Sequence, residues 1–400
     1  MHSIQQALDL ILSSSKSFRT EEVSIHDAFN RVLAENIYAD RDYPPFNRSA
    51  MDGYAVLASD FTNSNTELKL IETLLAGGVA NQKVTSGTCI KIMTGAPVPE
   101  GADAVVRVED TVEKDNIVTF NVNAVKYKQN IATQAEDAHK GDLIIKKDVA
   151  LDATAISVLA VTGKSKVLVH KLPEISIVST GNEIVSIDSL ILPHQIRDSN
   201  SYSLKSFLKT YSISSVNTIH VADDKVKLTE VIKNNLNKNI LILSGGVSKG
   251  DADYVPEVLI SLGVKEVFHR VKIKPGAPLW FGIMPGGGVV FGLPGNPVSV
   301  QIAFKVFIEP FIRRCFNMEA IQPMYLPLFN EKFKKTKFTE YFPCKLVNKN
   351  KVTGIASTKM NGSGDISATL GSHGIAVHRE EMDIIKENDV VEFYFWNECK

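Results

Sequence analysis

Ile175-Ser-Ile-Val-Ser-Thr-Gly-Asn-Glu183 is the stretch at which the residue pattern of the chain changes. Ile175 to Val178 reads as a strand, and from there to Phe316 strands and helices alternate. The helix face Leu204, Phe207, Leu208 and Tyr211 follows, then a strand at Val216 to Val221 and a helix face at Leu228, Val231, Ile232 and Leu236. A strand at Ile240 to Leu243 and helix positions Val258, Leu259 and Leu262 continue the series. Such alternation predicts a mainly parallel sheet covered by helices. Ligands of open sheets of this type bind beyond the carboxyl ends of the strands, where loops and helix N-termini gather.

The chain's most chemical motifs fall at those ends. Ser179, Thr180, Gly181, Asn182 and Glu183 supply hydroxyls, a flexible glycine and a carboxylate. Ser244-Gly-Gly-Val-Ser-Lys-Gly250 closes another strand, and its glycines can aim backbone amides at a phosphate or tetrahedral oxyanion. Asp251 and Asp253 come next. Arg270-Val-Lys-Ile-Lys-Pro-Gly-Ala-Pro278 alternates cations with apolar residues, so a strand here would point Arg270, Lys272 and Lys274 to one face. The Lys274-Pro275-Gly276 turn favours a directed role for Lys274, with an oxyanion as the compensating charge. Gly292-Leu-Pro-Gly-Asn-Pro-Val-Ser299 follows the apolar run Val289 to Phe291 and opens a long apolar helix pattern. In it Gly295 permits a positive φ or a close approach by a ligand, Asn296 suits an N-cap, and Pro297 has the φ of a first helical residue. The amides beyond them would face an anion. Each of these turns also fits a ligand-free loop; it is their company that points to anion binding.

Upstream of this region the pattern is different. Ser3 and Gln6 have capping-box spacing ahead of a helix bearing Ile4, Ala7, Leu8, Ile11 and Leu12, and a second short helix is expected near Ser24. Tyr43-Pro-Pro-Phe46 cannot continue a helix and marks a boundary. Beyond it, short β-rich runs at Cys89 to Met93, Ala104 to Val108 and Ile117 to Val122 read as a β domain. Ser49-Ala-Met-Asp-Gly-Tyr54 and Ile92-Met-Thr-Gly-Ala-Pro97 belong to this part, with Asp52 before a glycine and Thr94 exposed at a turn. Ala153 to Val161 reads as a helix returning to the N-terminal segment. After Pro323 to Pro327 short extended runs such as Val390 to Phe395 predict a terminal β module, and the basic run Lys332 to Lys337 reads as a solvated face.

Composition narrows the class. The 400 residues exceed one ordinary core, and 44% hydrophobic with 22% charged residues is the balance of a folded globular protein. A net charge of -1 gives no overall attraction to nucleic acid or anionic lipid. The N-terminus has neither the basic start nor the apolar core of a signal peptide, and no segment reaches the ~20 apolar residues of a bilayer helix, so the cytoplasm is the expected compartment. Cys89, Cys315, Cys344 and Cys399 are scattered without zinc spacing, which favours neither disulfides nor structural zinc. The nine histidines are similarly dispersed, and none is assigned chemistry.

Taken in order, Pro44-Pro-Phe46, Ser-Ala-Met-Asp-Gly-Tyr-Ala from Ser49, Met93-Thr-Gly-Ala-Pro97, Ser179-Thr-Gly-Asn-Glu183, Asp198-Ser-Asn200, Ser244-Gly-Gly-Val-Ser248, Lys274-Pro-Gly276 and Gly292-Leu-Pro-Gly-Asn-Pro-Val-Ser299 resemble the molybdopterin molybdenumtransferases, the MoeA and gephyrin E-domain family. The likeness covers roughly residues 40 to 310 and is weak in the final ninety. It implies the last step of molybdenum cofactor synthesis, in which molybdate enters adenylylated molybdopterin and AMP is released with the assistance of magnesium. It further implies an elongated homodimer of four-domain subunits: a discontinuous N-terminal domain at 1–42 and 141–173, a β domain at 43–140, a three-layer α/β/α molybdopterin-binding domain at 174–320, and a C-terminal β-barrel-like domain at 321–400.

Carried onto this sequence, the resemblance implies catalytic roles for Asp52, Glu183, Asp253 and Lys274, and magnesium coordination or pocket organisation by Asp52, Glu183, Asp223 and Asp253. Substrate binding falls to Thr94, Ser179, Thr180, Gly181, Ser244, Gly245, Gly246, Ser248, Asp251, Arg270, Lys272, Pro275, Gly276, Pro294, Gly295, Asn296 and Pro297. The sequence departs from the family pattern at Ala277, where many members have a second lysine, and at Lys249, which is usually apolar. Asn130 to Asp137 lacks the usual arginine and glycine, and Lys337 to Glu340 lacks a glycine-arginine step. The rival readings are a non-catalytic scaffold on the gephyrin E-domain fold and the related molybdopterin adenylyltransferase, whose short single-domain chain fits 400 residues poorly.

Overall fold

The computed structural model describes residues 1–63, 65–247, 254–334 and 336–397. The chain divides into two compact units, Met1–Ala34 with Asp148–Thr154 and Lys166–Lys400, and Glu35–Lys147 with Ala155–Ser165.

The larger unit is organised by a six-stranded sheet in the order Val216–Val221, Ile175–Thr180, Ile240–Ser244, Val289–Leu293, Trp280–Ile283, Lys265–His269. The first four strands are parallel, and the last two join antiparallel. Register sets Ser179 beside Ser244 and Ser244 beside Leu293, so three carboxyl ends finish level with one another. Side-chain alternation then divides the core in two. Ile175, Ile177, Ile240, Ile242 and Phe291 pack with Leu204 and Leu208 of helix Asn200–Lys209 and with Val300 and Ile302 of helix Pro297–Ala303. Val178, Leu241, Leu243 and Val290 pack on the other face with Leu228 and Ile232 of helix Lys225–Asn234 and with Val258 and Leu259 of helix Val255–Ser261. The result is helix, sheet, helix, as the period change at Ile175 predicts.

Local sequence explains where these helices start. Asp224 accepts hydrogen bonds from the amides of Val226 and Lys227 and so caps Lys225–Asn234. Ser3 and Gln6 form the expected capping box on Ile4–Ser13, whose Ala7 and Ile11 are fully buried in the first of the two cores. Near Ser24 the expected short helix is a single 3-10 turn, Ile25–Asp27. Thr20–Ser24 pairs antiparallel with Lys166–His170, which joins the start of the chain to the segment preceding the sheet.

The last part of the chain supplies a second six-stranded sheet in this unit. Its core contains Leu326, Leu328, Phe342, Cys344, Ile355, Ala376 and Phe393. One edge of this sheet is not local: Ile273–Lys274, from the Lys-Pro-Gly segment, pairs parallel with Thr339 and Glu340. Among the described residues, no helix is long and apolar enough to cross a membrane, and Cys89, Cys315 and Cys344 are buried free thiols.

The smaller unit is built on a sheet of six strands, in the order Ala104–Arg107, Gly53–Val56, Thr88–Ile92, Thr66–Leu74, Ile117–Phe120, Thr111–Lys114. Tyr54, Val56 and Phe120 fill one face, and Ala55, Ile90, Ile92 and Val105 the other. Gly53 leaves no room for a side chain: a Cβ there would stand 2.0 Å from the Val106 carbonyl oxygen. Backbone on the neighbouring strand cannot yield as a flexible side chain can. Gly53→Ala is therefore expected to destabilise the protein by about 3 kcal/mol; a denaturant midpoint equal to wild type would show that the strand pair has room.

Candidate functional site

The three level strand ends carry the motifs singled out in the sequence. Thr180 is 6% exposed, and its hydroxyl has no hydrogen-bond partner among the described residues. It abuts the next turn: a Cβ at Gly245 would lie 2.6 Å from the Thr180 carbonyl oxygen and 2.8 Å from its Oγ1, and one at Gly246 would lie 2.9 Å from Oγ1. Both glycines have positive φ, +98° and +66°, so space and backbone conformation each demand glycine there. Ser179, on the same strand end, donates from Oγ to Asp198 Oδ2 at 2.8 Å. Asp198 also receives the Ser201 hydroxyl at 2.6 Å and its amide at 3.0 Å.

Asn200 completes this set of ties. Its Nδ2 donates to Ser244 Oγ at 2.9 Å and to the Gly295 carbonyl at 2.7 Å. Asp198 and Asn200 thus hold the ends of Ile175–Thr180 and Ile240–Ser244 and the turn after Val289–Leu293 in one arrangement. On the outer side, Asn182 and Asp223 exchange backbone-to-side-chain bonds of 3.1 Å in each direction. Glu183 folds its carboxylate back over Gly181, where a Cβ would meet Oε2 at 2.6 Å.

The turn from Pro294 to Pro297 differs from its sequence reading in two respects. Gly295 is not one of them: it does not take a positive φ, but a Cβ there would meet only Gly245 Cα at 3.9 Å, which leaves the other option, a close approach. The Asn296 side chain does not cap the helix; it donates to Ser363 Oγ at 2.8 Å. The Val298 amide is already bound to the Ser363 carbonyl at 3.1 Å. A segment distant in sequence has taken a helix-start amide that local reasoning leaves for an anion.

The Lys-Pro-Gly segment also needs correction. Only Ile273–Lys274 is strand, and Arg270 has φ +79°, so Arg270, Lys272 and Lys274 do not lie on one continuous strand face. Lys272 and Lys274 remain exposed between the buried Val271, Ile273 and Pro275. A Cβ at Gly276 would stand 3.7 Å from the Ser299 carbonyl oxygen, which places this turn beside the Gly292 to Ser299 segment. Lys274 Nζ lies 3.7 Å from Glu340 Oε1, with its side chain 48% exposed, a loose pairing that leaves the ammonium accessible. Lys332 is not a simple solvated cation: its amine sits 4.4 Å from the centre of the Phe342 ring, and burial pulls its pKa below the ordinary lysine value.

In the smaller unit, Asp52 Oδ1 accepts the Thr94 amide and hydroxyl, both at 2.7 Å. These bonds hold the carboxyl below its usual pKa. The clasp therefore persists through neutral pH and is released only as pH falls through that lowered value. Ser248, Asp251 and Asp253 lie outside the described residues. Among the described residues there is no group of three or more metal-ligating side chains.

Comparison with known proteins then decides the family. Residues 2–163 match the MoeA N-terminal region (domain I and II), and residues 176–314 match the probable molybdopterin binding domain. A molybdopterin molybdenumtransferase of Synechocystis sp. is 34% identical over 400 residues, spanning 99% of this chain and 100% of that one. The chain belongs to the molybdopterin molybdenumtransferase family. A relative of the same name from Staphylococcus epidermidis is 30% identical, over 92% of this chain and 88% of its own length. The crystal structure of the molybdopterin biosynthesis moeA protein from Pyrococcus horikoshii OT3 superposes with a TM-score of 0.84 at 27% identity, covering 99% of this chain and 100% of that chain.

For this family member, sequence reasoning overlooked Asp198, Asn200, Ser201 and Ser363 as site residues. The Asp198-Ser-Asn200 motif was itself the available signal, but its side chains act on strand ends far along the chain, so spacing alone does not reveal their targets. The tightest part of the site yields a direct test. Gly245→Ala forces a Cβ against the Thr180 backbone at a positive φ and is expected to cost about 2 kcal/mol. Calorimetric melting checks this; an unchanged Tm would mean that the turn has slack.

Proposed function

We propose that this chain inserts molybdate into adenylylated molybdopterin and releases AMP. What carries the reading is the clasp in which Asn200 and Asp198 gather the Ser179, Ser244 and Gly295 loops at the carboxyl edge of the parallel sheet, within a chain that matches relatives of that name along its whole length. Both reactants are anions, so their pocket needs directed dipoles and accessible cations more than it needs a nucleophile. The Ser244-Gly-Gly turn, the Thr180 hydroxyl and Lys274 are of that kind. Lys274 attracts the phosphate or molybdate oxygens, and the loop groups orient them; no covalent enzyme intermediate is required.

Glu183 and Asp223 stand on adjacent loops at this edge, linked through Asn182. Two hard carboxylates suit magnesium, which is commonly held by one or two carboxylates together with substrate phosphate. These residues would hold the ion, and when bound it would offset the charge of the leaving phosphate. Asp253 and Asp52 are the other acidic residues proposed to act in the reaction, and Asp52 fixes the Thr94 turn. The proposal extends to a cytoplasmic homodimer with the four-part division set out above. A pure scaffold would release no AMP, and an adenylyltransferase would consume ATP and release pyrophosphate.

Incubation of the purified protein with adenylylated molybdopterin, molybdate and magnesium is expected to release AMP, detected chromatographically; absence of release overturns the reading. Asp52→Ala is expected to abolish AMP release while leaving pterin affinity largely intact, and near-normal turnover would remove Asp52 from the mechanism. Lys274→Ala is expected to raise the KM for the adenylylated substrate about tenfold through loss of one charge-assisted contact; an unaltered KM would exclude Lys274 from substrate binding.

A further inference from the structure

Asn200 is a polar residue at the start of a helix, yet it is only 9% exposed, and both protons of its side-chain nitrogen are spent, one on Ser244 Oγ and one on the Gly295 carbonyl. The carbonyl can only accept, which fixes which end of the Asn200 amide faces it. Two consequences follow for the site. A serine hydroxyl has one proton and two acceptor positions. With an acceptor position of Ser244 filled by Asn200, the hydroxyl's own proton is left to point away from Asn200. In a trans peptide the carbonyl and the following N–H point in opposite directions. Holding the Gly295 carbonyl toward Asn200 therefore turns the Asn296 amide the other way, and Asn296 is exposed whereas Asn200 is buried.

We propose that Asn200 is a positioning residue for the oxyanion substrate: by accepting no ligand itself, it aims the Ser244 hydroxyl and the Asn296 amide, on two different strand-end loops, at the same phosphate or molybdate oxygens. Asp198 fixes the third loop through Ser179, but among the described residues it is the Asn200 side chain that bonds to both of the turns that carry these donors. Loss of its amide frees the Ser244 rotor and the Gly295 peptide, so bound oxygens lose two pre-aimed donors while the helices and the sheet that carry them remain. The inference rests on the proposed reaction for its substrate, and the test separates the two.

Asn200→Ala, Ser244→Ala and the double variant are compared with wild type in AMP release from adenylylated molybdopterin. Asn200→Ala is expected to raise KM about tenfold, the scale of one lost hydrogen bond, with kcat within about twofold. Because Asn200 acts through Ser244, the double variant is expected to fall well short of the product of the two single effects. A wild-type KM in Asn200→Ala, a loss confined to kcat, or fully multiplicative effects would overturn the assignment. If Asn200→Ala cannot be purified folded, Asn200→Ser, which retains one donor, is read in the same way against the same outcomes. Should wild type release no AMP, the proposed reaction falls, and titration calorimetry with AMP as the probe takes over: about tenfold weaker binding by the variant supports the positioning role, and equal binding or no binding by wild type overturns it.

Discussion

Nothing larger than a hydrogen fits between Thr180 and the Gly245-Gly246 turn, and the arrangement of the site depends on that contact. Parallel register brings the strand ends level, but register alone would leave their loops free to splay. Direct contact between one strand's last residue and its neighbour's turn draws two loops together, and the Asn200 amide then brings in the third. The buried hydroxyl of Thr180, unpartnered among the described residues, is tolerable where a ligand supplies the missing bond. Close packing and unmet polarity at the same spot are what separate this edge from an ordinary turn cluster.

Charge is arranged with similar restraint. Lys274 is paired loosely enough to remain available, Lys332 is sheltered above an aromatic face, and Glu183 is folded over its own glycine. The strongly buried ions stand elsewhere. Lys305 and Glu309 pair at 2.6 Å, with side chains 2% and 4% exposed, and Tyr211 donates to Glu309 at 2.7 Å. Burial holds the Glu309 carboxyl above its usual pKa. This group links the end of helix Asn200–Lys209 to the helical run beyond Pro297, so the two helices that start at the strand-end loops are also fastened at depth. Breaking such a pair costs more than forming it gains, which makes it a lock on position more than a source of stability.

Most of the architecture could be read from the sequence because its signals are local. The period change at Ile175, the capping box at Ser3 and the helix over Ala153–Val161 depend on residues within a few positions of one another. Site motifs were recognisable for the same reason. What escaped were particular side-chain contacts and conformations set by residues far apart in the chain. The left-handed conformation of Arg270 breaks a pattern that side-chain alternation alone would continue. Lys332 looks like one member of a solvated run until Phe342 is beneath it. Asn296 has the composition of an N-cap, and only the arrival of Ser363 diverts its side chain and occupies the Val298 amide.

That last contact bears on how the family can vary. Ser363 comes from the region in which this sequence keeps least of the family pattern, yet it touches the most characteristic turn of the chain, while Ile273–Lys274 forms an edge strand for the sheet that surrounds it. The C-terminal module is therefore joined to the α/β part by these contacts and by a shared core, in which Tyr341, Ala368, Ile375 and Val377 pack with Phe304 and Phe307, and it is not a detachable passenger. Evolutionary exchange of that module would have to preserve this whole interface, so drift in its sequence is freest on the surfaces facing away from it.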